Sequence, residues 1–134
     1  MRVRAVLETS LYVDDLEAAD KYYTEVLGMK ILSRVEGRHV FIRLEQTMLL
    51  LFRASETQVK SGVVPVHGAR GAGHVAFRMD RSDIDTWRER LISKGVDIET
   101  EVRWPNGGYS LYFRDPAGNS LELATADMWG FETP

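Results

Sequence analysis

The chain contains no cysteine among its 134 residues. Disulfides and thiolate metal sites are therefore excluded, and the absence fits a reducing compartment. Histidine is scarce too, with three in all, His39, His67 and His74. No apolar run approaches the roughly 18 residues that a membrane helix needs. The longest such stretch, Met48 to Phe52, reads as a strand. The opening residues, Met1 to Glu8, lack the apolar core of a signal peptide. We expect a cytoplasmic protein with no membrane partner. There is no excess of positive charge either: 17 Lys and Arg against 20 Asp and Glu give a formal net charge of -3. That balance speaks against a general nucleic-acid surface. Arg70-Gly71-Ala72-Gly73 is no phosphate loop, because the Lys-Ser/Thr pair and following helix are missing.

What is present is an internal repetition of element order. Val3 to Val13 alternates and reads as a strand. Asp14 is the expected helix cap, with Glu17 three residues on as in a capping box. Leu16, Ala19, Tyr23, Val26 and Leu27 then recur at helical spacing, and Gly28 follows as a terminating glycine. Met29–Val35, His39–Leu44 and Thr47–Arg53 are three short strands. Residues 54–72 have no period and read as a linking loop. The pattern then restarts with a strand at Gly73–Met79, a helix through Ile84, Trp87, Leu91 and Ile92, and a closing Gly95. Ile98–Arg103, Ser110–Arg114 and Ser120–Thr125 complete it. Both halves therefore run β, α, β, β, β, and we expect an α+β fold. The expected organisation is one domain over 1–134, with repeat one at about 1–53, repeat two at about 73–126 and a tail at 127–134.

Alternation separates two faces on each strand. Leu7, Leu11 and Val13 oppose Glu8, Ser10 and Tyr12; Val75, Phe77 and Met79 oppose His74, Ala76 and Arg78. Leu111 and Phe113 oppose Ser110, Tyr112 and Arg114; Leu121 and Leu123 oppose Ser120, Glu122 and Ala124. Val40, Ile42 and Leu44 oppose His39, Phe41 and Arg43. The apolar set should meet the helices. The second set carries carboxylates, histidines, tyrosines and arginines, which suits a functional cup better than a plain solvated face. Arg43, Arg53, Arg78 and Arg114 on that face would favour an anionic ligand. Glu8, His74 and Glu122 fall on it as well. One imidazole and two carboxylates can form an incomplete shell around Mn, Fe, Ni, Zn or Mg, with positions left for substrate. The bland alternative is that Glu122 pairs with His74 or an arginine and Glu8 is simply solvated. His67, in the linking loop, reads as a surface histidine rather than a lid residue.

Three segments carry a family resemblance. Leu11-Tyr12-Val13-Asp14-Asp15-Leu16-Glu17 with Tyr22-Tyr23 and Val26-Leu27-Gly28 resembles the opening of vicinal oxygen chelate proteins. Gly73-His74-Val75-Ala76-Phe77 resembles the start of their second repeat. Ser110 to Leu123, with Asp115-Pro116-Ala117-Gly118-Asn119 at its centre, resembles their C-terminal signature and is the most specific piece. The family includes glyoxalase I, bleomycin resistance proteins, extradiol dioxygenases, methylmalonyl-CoA epimerase and fosfomycin-modifying thiol transferases. The resemblance implies paired βαβββ modules forming a cup-shaped, partly open barrel that holds a divalent metal.

Carried over by position, His74 and Glu122 match metal ligands, and Glu8 stands where the first strand usually offers histidine or glutamine. The repeat alignment places Leu49 at the fourth ligand position of glyoxalase-type and epimerase-type members, and leucine cannot bind metal. The three-ligand dioxygenases and thiol transferases are thereby favoured, although these carry two histidines. Asn119 and Ala124 stand where fosfomycin-type members tend to have histidine. The implied activity is that of a glyoxalase/dioxygenase-like enzyme whose metal acts as Lewis acid on a small, oxygen-rich, anionic substrate. Glu8 and Tyr112 are the implied catalytic groups; Tyr12, Arg43, Ser110 and Arg114 are the implied substrate contacts. Asn106 can bind a substrate oxygen or hold its turn, and Trp104 and Trp129 can wall the pocket. The alternative is a metal-free binding protein of the bleomycin resistance type. A homodimer is implied, with Glu8 of one chain facing His74 and Glu122 of the other.

Overall fold

Gly28 and Gly95 end the two longer helices in the left-handed region, at φ 69° and 75°. The Gly28 N–H reaches the Thr24 carbonyl at 3.1 Å and the Met29 N–H reaches that of Tyr23 at 3.0 Å. A side chain with a Cβ would be strained there, so glycine closes each helix and returns the chain to its sheet. The computed structural model describes residues 1–132. It divides into two compact units, Met1–Gly73 and one beginning at His74.

The first unit contains β1 (Glu8–Tyr12), α1 (Leu16–Glu25), β2 (Lys30–Val35), β3 (His39–Arg43), β4 (Met48–Phe52) and α2 (Ala54–Thr57). The second contains β5 (His74–Arg78), α3 (Ile84–Ser93), β6 (Thr100–Arg103), β7 (Tyr109–Arg114) and β8 (Ser120–Ala124). The sheets have the orders β1-β4-β3-β2 and β5-β8-β7-β6. In each, the outer first strand is parallel to its neighbour and the other pairs are antiparallel. The fold class is α+β.

The apolar face is buried as alternation requires. In the first unit Leu11, Val40, Ile42, Leu49 and Leu51 meet Leu16, Ala19 and Tyr23 of α1 in the core. In the second, Leu111, Phe113, Leu121 and Leu123 are buried with Leu91 of α3. Arg88 of α3 also reaches Glu101 of β6 at 2.7 Å and Tyr109 of β7 at 3.2 Å.

Several boundaries differ from expectation. The first strand begins at Glu8, not Val3, because its partner β4 offers only five residues for pairing. Asp15, not Asp14, caps α1: its extended backbone lets its carboxylate accept the Ala18 N–H at 3.0 Å. The linking segment opens with α2, and the tail contains a 3-10 helix at Ala126–Trp129. Another 3-10 turn, Arg81–Asp83, leads into α3 with no side-chain cap. Among the described residues no helix is long and apolar enough to cross a membrane.

Candidate metal centre

The parallel pairing of β5 and β8 sets His74 beside Ser120 and Ala76 beside Glu122. Antiparallel pairing of β7 and β8 sets Tyr112 opposite Glu122 and Ser110 opposite Ala124. These registers bring His74, Glu122, Tyr112 and Ser110 onto one face. The His74 Nδ1 lies 2.9 Å from the Ser120 carbonyl oxygen. A carbonyl only accepts, so Nδ1 carries the proton and donates. In the neutral ring the lone pair is then on Nε2, which lies 3.3 Å from Oε2 of Glu122. Two acceptors facing each other at that distance favour a cation between them, either a proton or a metal ion.

The pair is unequal in exposure: the His74 side chain is 51% accessible and that of Glu122 only 4%. The buried carboxylate is held from behind. Ser110 Oγ donates to its Oε1 at 2.5 Å, and Trp104 Nε1 donates to Ser110 Oγ at 2.8 Å. The Tyr112 phenol is pushed above its ordinary value, first by burial and then by the Glu122 carboxylate to which it hydrogen-bonds. It therefore keeps its proton at neutral pH and serves as a donor rather than a base. Its ring lies nearly parallel to that of His74, with centroids 6.4 Å apart. These donors fit a divalent cation: one imidazole with its remote nitrogen fixed, and one carboxylate with a single oxygen turned outward. Among the described residues no third His, Cys, Asp or Glu joins them within one chain.

Ser110 was expected to touch substrate. It is fully buried and its hydroxyl is committed to Trp104 and Glu122, so it supports the carboxylate instead. Asn106 holds its turn: it accepts from the Gly108 N–H at 3.3 Å and donates to the Met128 carbonyl at 2.6 Å. Arg114 engages Glu99 at 3.1 Å and the Gly118 carbonyl at 3.1 Å in an exposed setting. Arg78 is exposed on β5, and Trp129 is 74% accessible.

The corresponding face of the first unit is different in chemistry. Glu8, Met48 and Arg43 form one row across β1, β4 and β3, with Glu8 and Arg43 exposed. The matching registers, Glu8 with Met48 and His74 with Ser120, make Leu50 the counterpart of Glu122. This corrects the alignment that placed Leu49 there. Leu49 points into the helix-covered core, and a shift of one residue exchanges the faces. Around Leu50 the face is aromatic. The rings of His39 and Phe41 stack at 3.8 Å, and Phe52 meets both edge-on at 5.7 and 5.5 Å.

His67 is part-buried rather than free on the surface: Nδ1 lies 2.6 Å from the Tyr12 hydroxyl and its ring is 4.9 Å from Phe52. The linking segment therefore lies against this face, which no periodicity in residues 54–72 could indicate. Tyr12 has its phenol raised by burial and is engaged by His67. Arg53 lies on the strand end, 3.5 Å from the Gly37 carbonyl.

His39 provides a pH test. Burial first, and neighbouring Arg38 second, hold its imidazole below its ordinary value of 6.5. Arg38 Nη1 lies 2.6 Å from Nδ1, so Nδ1 is the acceptor and the neutral ring is favoured. The unfolded chain thus takes up this proton at higher pH than the folded one. The contribution is complete above the ordinary histidine range and is lost as pH falls through the folded value. Relative to His39→Phe, which keeps a stacked ring but cannot titrate, wild type should lose stability between about pH 7 and about pH 5. Parallel urea midpoints for the two proteins across that range would refute the assignment.

A sequence model of the Glyoxalase/Bleomycin resistance protein/Dioxygenase superfamily matches residues 5–123, and the chain belongs to that family. The crystal structure of lactoylglutathione lyase from Agrobacterium tumefaciens is similar at a TM-score of 0.94 and 40% identity, covering 98% of this chain and 100% of that one. Probable lactoylglutathione lyase of Vibrio parahaemolyticus is 28% identical over 127 residues, 88% of this chain and 88% of that protein. Metallothiol transferase FosB of Shouchella clausii is 38% identical over 63 residues. That match spans 41% of this chain and only 39% of the transferase's length.

Proposed function

We propose that the protein is a divalent-metal-dependent enzyme acting on a small, oxygen-rich, anionic substrate. The observation that carries this reading is the opposition of His74 Nε2 and Glu122 Oε2 at 3.3 Å, each fixed by a hydrogen bond on its far side. Relatives named lactoylglutathione lyase and metallothiol transferase support a metalloenzyme in general terms. His74 and Glu122 hold the ion, with Glu8 as third ligand and acid–base group. Mn, Fe, Ni, Zn and Mg all suit two carboxylates and one imidazole. When bound, the metal supplies Lewis-acid polarisation of a substrate oxygen. Tyr112 turns its hydroxyl from Glu122 to donate a hydrogen bond to the reacting substrate. Tyr12, Arg43 and Arg114 bind and orient it, the arginines by charge. Exchanging the Arg114–Glu99 contact for a substrate anion costs little, since an exposed pair is worth about 0–1 kcal/mol.

Glu8 completes the shell from a second copy of the chain in a cytoplasmic homodimer. Val6, Leu7, Trp129 and Phe131 are 62–75% accessible and offer apolar surface for such a contact. Light scattering showing only a 15.2 kDa species would remove the shared site. The test of the metal reading is elemental analysis of untagged protein purified without chelator. Wild type should carry close to one ion per chain, and His74→Ala none. If neither binds any of the five metals after incubation, the reading fails.

A second reading is favoured by the aromatic cluster around Leu50: a metal-free binding protein for an aromatic, anionic molecule. In that case calorimetry should find such a ligand binding equally to wild type and His74→Ala.

A further inference from the structure

Glu122 is buried, with Ser110 and Tyr112 hydrogen-bonded to its carboxylate and Oε2 lying 3.3 Å from His74 Nε2. The hydrogen bonds behind it run in one direction. An indole N–H only donates, so Ser110 Oγ must accept from Trp104 at 2.8 Å. A carboxylate only accepts, so the one proton on Ser110 Oγ must go to Glu122 Oε1 at 2.5 Å. The hydrogens from Trp104 through Ser110 to Glu122 Oε1 are thereby assigned, and Tyr112 lies within hydrogen-bonding reach of both Ser110 and Glu122 beside them. Ser110 is 0% and Glu122 3% accessible, so water does not compete for these positions. Met128 sulfur lies 3.9 Å from Ser110 Oγ and packs against the hydroxyl.

We propose that Ser110 and Trp104 are positioning residues for the metal. The relay engages Oε1 and fixes the carboxylate plane, so that Oε2 lies beside His74 Nε2, where an ion would be held. Successive donors also polarise one another in a buried chain, which strengthens the hold on Oε1. The inference rests on the metal reading of His74 and Glu122.

Calorimetric titration of metal-free protein with Zn²⁺ and with Mn²⁺ tests it. Ser110→Ala should bind each ion about tenfold to hundredfold more weakly, the usual cost of removing a ligand's hydrogen-bond partner. Ser110→Thr keeps the hydroxyl and should restore affinity. Trp104→Phe keeps the ring and removes the N–H, so it should give a smaller loss. The double variant Ser110→Ala/Trp104→Phe should be no worse than Ser110→Ala, because the indole acts only through the serine. Unchanged affinity in folded Ser110→Ala, with wild type binding normally, overturns the relay and leaves the metal reading intact. If Ser110→Ala does not fold, unchanged affinity in Trp104→Phe overturns the relay in the same way. Absence of binding by wild type overturns both.

Discussion

Glu122→Gln is expected to strip the protein of divalent metal while leaving it folded. The amide has nearly the shape of the carboxylate, and its carbonyl can still accept from Ser110 and Tyr112. Its NH2 then faces the lone pair of His74 Nε2 and donates to it, so the two acceptors 3.3 Å apart become an ordinary hydrogen bond. No cation is needed any longer, and the ligand charge is gone. The loss in metal affinity should exceed the roughly tenfold to hundredfold that follows from removing a support outside the ligands. Stability of the metal-free protein should change by no more than about 1 kcal/mol. Glu122→Ala should lose the metal too, but at a different structural cost. The buried Ser110 hydroxyl then loses its acceptor, at a cost of about 1–3 kcal/mol, while the part-buried Tyr112 hydroxyl can turn to water. Metal content and urea midpoints of the two variants separate these effects. A glutamine variant that holds metal within twofold of wild type would rule Glu122 out as a ligand. Wild type without metal, destabilised in both variants alike, would identify the pair as a plain His–Glu ion pair.

The element order is legible in the sequence, and so are the strand faces where period and burial agree; Leu7, placed with the apolar set, instead lies ahead of β1 at 75% exposure, and β8 is buried on both faces. Leu111 and Phe113 are buried where alternation put them, and Glu8 and Tyr112 lie on the opposite side. The closing glycines are legible because a left-handed turn needs them. What alternation cannot convey is which strand residue stands beside which. Leu49 and Leu50 are adjacent and both apolar, so only the β1–β4 register distinguishes the one facing the core from the counterpart of Glu122. The Ser110–Glu122 bond is half legible, since both residues fall on one face. Its third member, Trp104, comes from a turn, and turns carry no face periodicity. His67 is illegible for the same reason. Its role follows from where an irregular segment lies, which depends on tertiary packing against Tyr12 and Phe52.

Phe113→Ala is the substitution expected to cost the most stability, and its neighbour Tyr112 supplies the control. Phe113 is 0% accessible, paired with Leu121 across β7 and β8, on the face that carries Leu111 and Leu123. Removing the ring loses its transfer free energy and leaves a cavity that a sheet with fixed hydrogen bonds cannot close. The expected loss is about 3–5 kcal/mol, read from urea unfolding followed by circular dichroism. Tyr112→Phe, one residue away, removes only a hydroxyl on the other face of the same strand. It should cost about 1 kcal/mol or less, and its effect should appear in turnover rather than in the unfolding midpoint. A single strand would then separate the two requirements, stability on one side and chemistry on the other. If Phe113→Ala costs under about 1 kcal/mol, the apolar side of β7 is not the core that its burial indicates. If Tyr112→Phe is the more destabilising of the two, Tyr112 belongs to the packing and its donor role must be abandoned.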